Sequence, residues 1–67
     1  MNEDIFKGKW NQLKGNIKNV WGDITDNDIA QAEGSYNKFL GILQERYGWE
    51  RERAEREVDD YFSRQGW

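Results

Sequence analysis

The 67-residue chain contains no cysteine, no histidine and no proline. Without cysteine there is no disulfide and no thiolate chemistry. Without histidine there is no imidazole to move protons, and together the two absences remove the usual ligands for zinc or iron. No apolar run approaches the roughly 20 residues that a membrane-spanning helix needs. The N-terminus, Met1-Asn2-Glu3-Asp4, lacks the basic start and apolar stretch of a signal peptide. These absences predict a cytoplasmic protein with no membrane partner, no metal and no cofactor.

What the chain does contain pulls two ways. Charged residues make up 34%, with a net charge of -3, and the mean hydropathy is -1.15. Such values lean towards disorder. Aromatic residues, however, reach 15%, and four tryptophans, three tyrosines and three phenylalanines can build a small core. Residues 1–67 are therefore expected to form one domain. A domain of this size buries only about 60% of the surface its unfolded chain exposes, which leaves marginal stability and no room for a deep active site.

The segment 34–48 repeats the segment 8–22 at an offset of 26 residues. Gly8, Gly15 and Gly22 align with Gly34, Gly41 and Gly48, Trp10 with Tyr36, Asn11 with Asn37, Leu13 with Phe39, Ile17 with Leu43, and Trp21 with Tyr47. The repeat predicts two similar amphipathic helices, each with an aromatic near its start and an aromatic followed by glycine at its end.

In chain order, residues 3–21 read as one helix, because Phe6, Trp10, Leu13, Ile17, Val20 and Ile24 are spaced four, three, four, three and four. Gly8 and Gly15 fall opposite that stripe, inside the helix, and Gly22 is expected as its left-handed C-cap. Thr25 and Asp28 stand at capping-box spacing, so a second helix should start at Asp26. Its apolar phase runs on as far as Tyr47, but Gly34-Ser35 reads as a stop and a new N-cap, which separates a short helix from one over 36–47. After Gly48-Trp49 a final helix spans about 50–63, with Ala54, Val58, Tyr61 and Phe62 as its apolar stripe. Arg51 with Glu55, Glu52 with Arg56, Arg53 with Glu57, Arg56 with Asp60, and Asp60 with Arg64 are spaced to pair along it. The predicted fold is an all-α bundle of three to four short crossed helices. Its expected core is Phe6, Trp10, Leu13, Ile17, Trp21, Tyr36, Leu40, Leu43, Tyr47, Val58 and Phe62, while Trp67 has no assigned place.

No constellation points to a reaction. Asp23, Asp26 and Asp28 lack the ligand spacing and central glycine of an EF-hand loop and read as capping residues. Residues 1–22 carry +2, but 23–48 carry -3 and 49–67 carry -2, so the whole repels phosphate and argues against nucleic acid. Carboxylates such as Glu45 and Asp60 have no cleft in which to act on a sugar, and the protein is not expected to be an enzyme. The glycines remain. They read either as caps plus tolerated helix glycines, or as a flat ridge at Gly8, Gly15 and Gly41 on which a partner protein or a second copy packs closely.

The motifs Lys7-Gly-Lys-Trp-Asn-Gln-Leu-Lys-Gly15, Trp21-Gly-Asp-Ile-Thr-Asp-Asn-Asp28, Gln44-Glu-Arg-Tyr-Gly-Trp49 and Ala54-Glu-Arg-Glu-Val58 occur together in this order. In them the chain resembles the CsbD-like family of small bacterial stress-response proteins. The resemblance covers nearly the whole chain; the residues 62–67 follow no pattern of the family. It implies an all-helical bundle, a cytoplasmic location, raised expression under general stress, and no established biochemical activity. No catalytic or binding residues are carried over with it. Two function classes stay open. One is a small helical interaction module. The other is a protectant of the hydrophilin type, which acts through glycine content, charge and abundance without a site.

Overall fold

The computed structural model describes residues 2–67, and those residues form five helices and no strand. They are α1 (Glu3–Lys14), α2 (Ile17–Val20), α3 (Asp26–Ala32), α4 (Tyr36–Tyr47) and α5 (Arg51–Gln65). The all-α bundle expected from the sequence is thus observed, with one helix more than expected.

The extra helix comes from a break at Gly15-Asn16. The expected helix over 3–21 stops at Lys14, where the Asn16 N–H donates to the Leu13 carbonyl three residues back, and helix resumes at Ile17. Glycine and asparagine are both weak helix formers, and two in succession give the turn a cheap place to tighten. The tightening changes the phase of the apolar stripe. Ile17 and Trp21 are buried, whereas Val20, expected on the stripe, is 40% exposed. Gly22 is also not the left-handed cap expected of it; Trp21 closes α2, and the glycines with positive φ are Gly34, Gly48 and Gly66.

The other boundaries follow local chemistry that the sequence displays. Asn2 caps α1, accepting a hydrogen bond from the Asp4 N–H at 2.7 Å. Thr25 and Asp28 form a reciprocal capping box, each side chain accepting from the other's backbone N–H at 3.1 Å. At the end of α3, Glu33 (φ 52°) and Gly34 (φ 81°) are both left-handed, and Ser35 then caps α4 by accepting from the Lys38 N–H. Gly48 and Gly66 end α4 and α5 in the left-handed conformation. At Gly66 the Trp67 N–H donates to the Phe62 carbonyl and the Gly66 N–H to the Ser63 carbonyl. That pattern is a Schellman motif, and the ring contact between Phe62 and Trp67 supplies its customary apolar partner.

Eight aromatic rings share the core. Phe6 lies within 6 Å of Trp10, Tyr36, Phe39 and Phe62, with centroid distances of 5.6, 5.4, 5.6 and 5.9 Å, and so ties α1 to α4 and α5. Trp21 meets Phe39 and Tyr61, and Trp67 folds back on Tyr61 and Phe62. Of the expected core, Trp10 and Tyr47 are only half buried, while Ile24, Ala32, Phe39, Ala54 and Tyr61 join it. Trp10 lies over the buried Gly34.

The charge pattern of α5 departs from expectation. None of its five i,i+4 pairs closes to an ion pair; those within 4.0 Å among the described residues are Lys18–Asp26 and Arg46–Asp28. Arg51 donates instead to the Asn37 side-chain oxygen at 2.6 Å, and Arg53 lies over the Trp49 ring at 4.8 Å. Exposed pairs gain little in water, so contacts between elements win these arginines.

Candidate functional site

The three ridge glycines are shared between two helices, Gly8 and Gly15 on α1 and at its end, and Gly41 on α4. Gly8 and Gly41 lie inside α1 and α4, both exposed, and a Cβ built on either meets nothing within 4 Å. Gly15 is the C-cap of α1, with an ordinary φ of -70°. The aligned glycines of the repeat therefore do different work. Gly8 is within a helix where Gly34 makes a turn, and Gly15 ends a helix where Gly41 continues one. The expectation of two equivalent helices holds only for core positions such as Leu13 with Phe39 and Ile17 with Leu43, all buried.

Gly41 does open onto a surface feature. It lines an open groove of about 540 Å³ between α3 and α4, with Gln31, Glu33, Lys38, Ile42 and Glu45. Lys38, Gly41, Ile42 and Glu45 follow one another at i, i+3, i+4 and i+7 and so form one outward stripe of α4. With no side chain at Gly41, the half-buried Ile42 is reachable from outside. Glu33 stands at the turn into α4 and Glu45 in its last turn. A smaller groove of about 370 Å³, between the start of α1 and the end of α5, includes Ile5, Asp59, Phe62 and Trp67.

Two of the three acidic side chains of the 23–28 loop, those of Asp26 and Asp28, are engaged within the fold. Asp28 is buried and accepts from Arg46 Nε and Nη2, both at 2.8 Å, in addition to its cap on Thr25. The Arg46 hydrogen bond dominates and outweighs burial, holding the Asp28 carboxyl down at about 2. Asp26 pairs with Lys18 at 2.8 Å, and the Asp23 N–H donates to the Tyr47 hydroxyl at 3.2 Å. Among the described residues no three Asp, Glu, His or Cys side chains gather in a way that could hold a metal ion.

Of the large aromatics, Trp21 and Tyr36 are buried in the core, while Trp10, Tyr47 and Trp49 are half buried against it. Tyr36 is buried, and burial, reinforced by the charges of Asp59 and Glu55, pushes its hydroxyl up to about 12. Tyr47 and Trp49 stack at 4.4 Å, and Arg53 lies over the Trp49 ring at 4.8 Å. The buried Tyr61 hydroxyl has no hydrogen-bond partner among the described residues.

The family model described as CsbD-like matches residues 4–56. The chain belongs to the CsbD-like family. A UPF0337 protein of Pseudomonas aeruginosa is 56% identical over 64 residues, covering 96% of this chain and 98% of that protein. One of Xanthomonas axonopodis pv. citri is 57% identical over 58 residues, covering 87% and 84%. The UPF0337 protein YjbJ of Escherichia coli (strain K12) is 44% identical over 64 residues, covering 96% and 93%. None of these names states an activity, in keeping with the uncharacterised, stress-response type that the motifs imply. The CsbD-like match takes in the capping box, Gly34, the whole groove and the Asp28–Arg46 pair. It stops ten residues before Gly66, so the Schellman end and Trp67 lie beyond it.

Two features escaped the sequence. The Asp28–Arg46 pair joins residues 18 apart on different helices, and no local spacing announces it. The Schellman end was missed although the sequence carries its usual signal, a glycine followed by an apolar residue after a helical stripe.

Proposed function

We infer that this CsbD-like protein is a small folded interaction module of the cytoplasmic stress response, which works by docking a protein partner on its outward helix faces and catalyses no reaction. The observation that carries this is the pair Gly8 and Gly41. Each sits inside a helix where a methyl group would meet nothing, and each costs about 1 kcal/mol relative to alanine. The fold has no use for them, whereas Gly34 and Gly48 are required by their backbone conformation. A face kept free of side chains at a stability cost is what close docking needs. Support also comes from the interlocked aromatic core, since a protectant that acts by bulk hydration has no need of a fixed shape. No helix among the described residues is long and apolar enough to cross a membrane.

The test is survival. In a strain lacking the gene, the Gly8→Ala/Gly41→Ala protein is supplied at the abundance of the wild type and the cells are stressed. The reading expects protection to fall although the variant folds well. Full protection by the variant would overturn it and favour the bulk protectant.

A further inference from the structure

The partner that this interaction reading leaves open is narrowed by how charge is distributed over the surface. Residues 1–22 carry +2 in a chain whose net charge is -3. Within that segment Lys18 is held by Asp26, and Lys9 lies over the Trp67 ring at 5.6 Å. Lys7 and Lys14 are exposed and make no ion pair among the described residues. They stand seven residues apart, on the same outward face of α1 as exposed Asn11 and beside exposed Gly8. The groove between α3 and α4 has the opposite character. Glu33 and Glu45 mark its two ends and form no ion pair among the described residues, Lys38 lies between them, and the lining sums to -1. Ile42 gives it an apolar base, and the missing side chain at Gly41 leaves room for a helix to lie against α4.

We propose that the groove receives the outward face of α1 from a second copy of this chain, with Lys7 and Lys14 set against Glu33 and Glu45. The inference rests on the interaction reading above and names its partner. The two surfaces belong to different parts of the chain, so the contact is heterologous. Each associated pair keeps one face of each kind free, and assembly grows head to tail instead of stopping at a dimer. A contact one helix wide falls below the roughly 1,200 Å² of standard stable interfaces, so the association is transient and depends on abundance. Because the charges are exposed, it weakens as salt shortens the screening length from about 10 Å at 0.1 M.

Sedimentation velocity on the purified protein up to about 1 mM, in the range where small interfaces associate, tests this in low salt. The wild type should show a mean mass that rises with concentration, roughly twofold or more at the top of the series as chains form, and that falls back in high salt. Lys7→Glu/Lys14→Glu and Glu33→Lys/Glu45→Lys, each checked for unchanged helical circular dichroism, should both stay monomeric alone. An equimolar mixture of the two should associate again, because each altered face then meets its complement. A wild type that is monomeric throughout, or reversed variants that associate as the wild type does, or a mixture that stays monomeric, would overturn the second-copy inference. The interaction reading is judged separately by the survival experiment, and a monomeric protein whose alanine variant loses protection would retain the docking face with a different partner.

Discussion

The carboxylate of Asp28 accepts from the Thr25 N–H and from two nitrogens of Arg46, so protonating it disrupts both a helix cap and a tie between α3 and α4. Its folded pKa is lowered from 3.8 to about 2, so its contribution is present above pH 4 and is lost as pH falls towards 2. The side chain of Asp28 is 5% exposed but that of Arg46 is 42% exposed. Solvent around Arg46 limits the contribution at neutral pH to at most about 2 kcal/mol. Asp28→Asn should therefore destabilise the protein at pH 7, and the gap to the wild type should close between pH 4 and pH 2 in a series of urea melts. A gap of constant size down to pH 2 would show that the ionised carboxylate is not its source. The capping half of this arrangement is written in the Thr25–Asp28 spacing. The Arg46 half depends on how α3 folds back on α4, which no local pattern contains.

Where the helices end was legible wherever a residue type has a single physical reason to be there. Thr25, Ser35 and Gly48 are of this kind, and each ends or begins a helix as expected. Gly15 was misjudged because the apolar spacing through Leu13, Ile17 and Val20 is as regular as that of an unbroken helix, and only the weakness of Gly15-Asn16 speaks against it. The repeat misled in the same way, since identical glycine register conceals three different conformational uses. Gly34 makes the sharpest contrast with Gly41. Its φ of 81° is costly for any residue with a Cβ, and an added methyl would lie 3.4 Å from the Trp10 ring. Gly34→Ala should destabilise the domain by about 1 to 3 kcal/mol, read as a lower melting temperature. An unchanged melt would mean that the α3–α4 turn relaxes into another conformation and that Trp10 does not depend on it.

Across the whole molecule, a hydrophilic chain is held together by rings drawn from three of the five helices, from Trp21 at the end of α2 and from Trp67. The aromatic content and the stripe positions gave most of this core in advance. Phe39 entered it because an aromatic interior around Phe6 and Trp21 recruits a neighbour beyond a one-dimensional stripe. With the core so concentrated, the outward faces of α1 and α4 are free of structural duty, and that freedom is the central claim. It is tested most directly by equilibrium urea unfolding of Gly8→Ala/Gly41→Ala at a protein concentration low enough to keep the chain monomeric. The account predicts a variant more stable than the wild type by up to about 2 kcal/mol, since each alanine loses less backbone entropy on entering a helix. A variant less stable than the wild type would contradict it, because the two glycines would then serve the fold and leave no face in reserve for a partner.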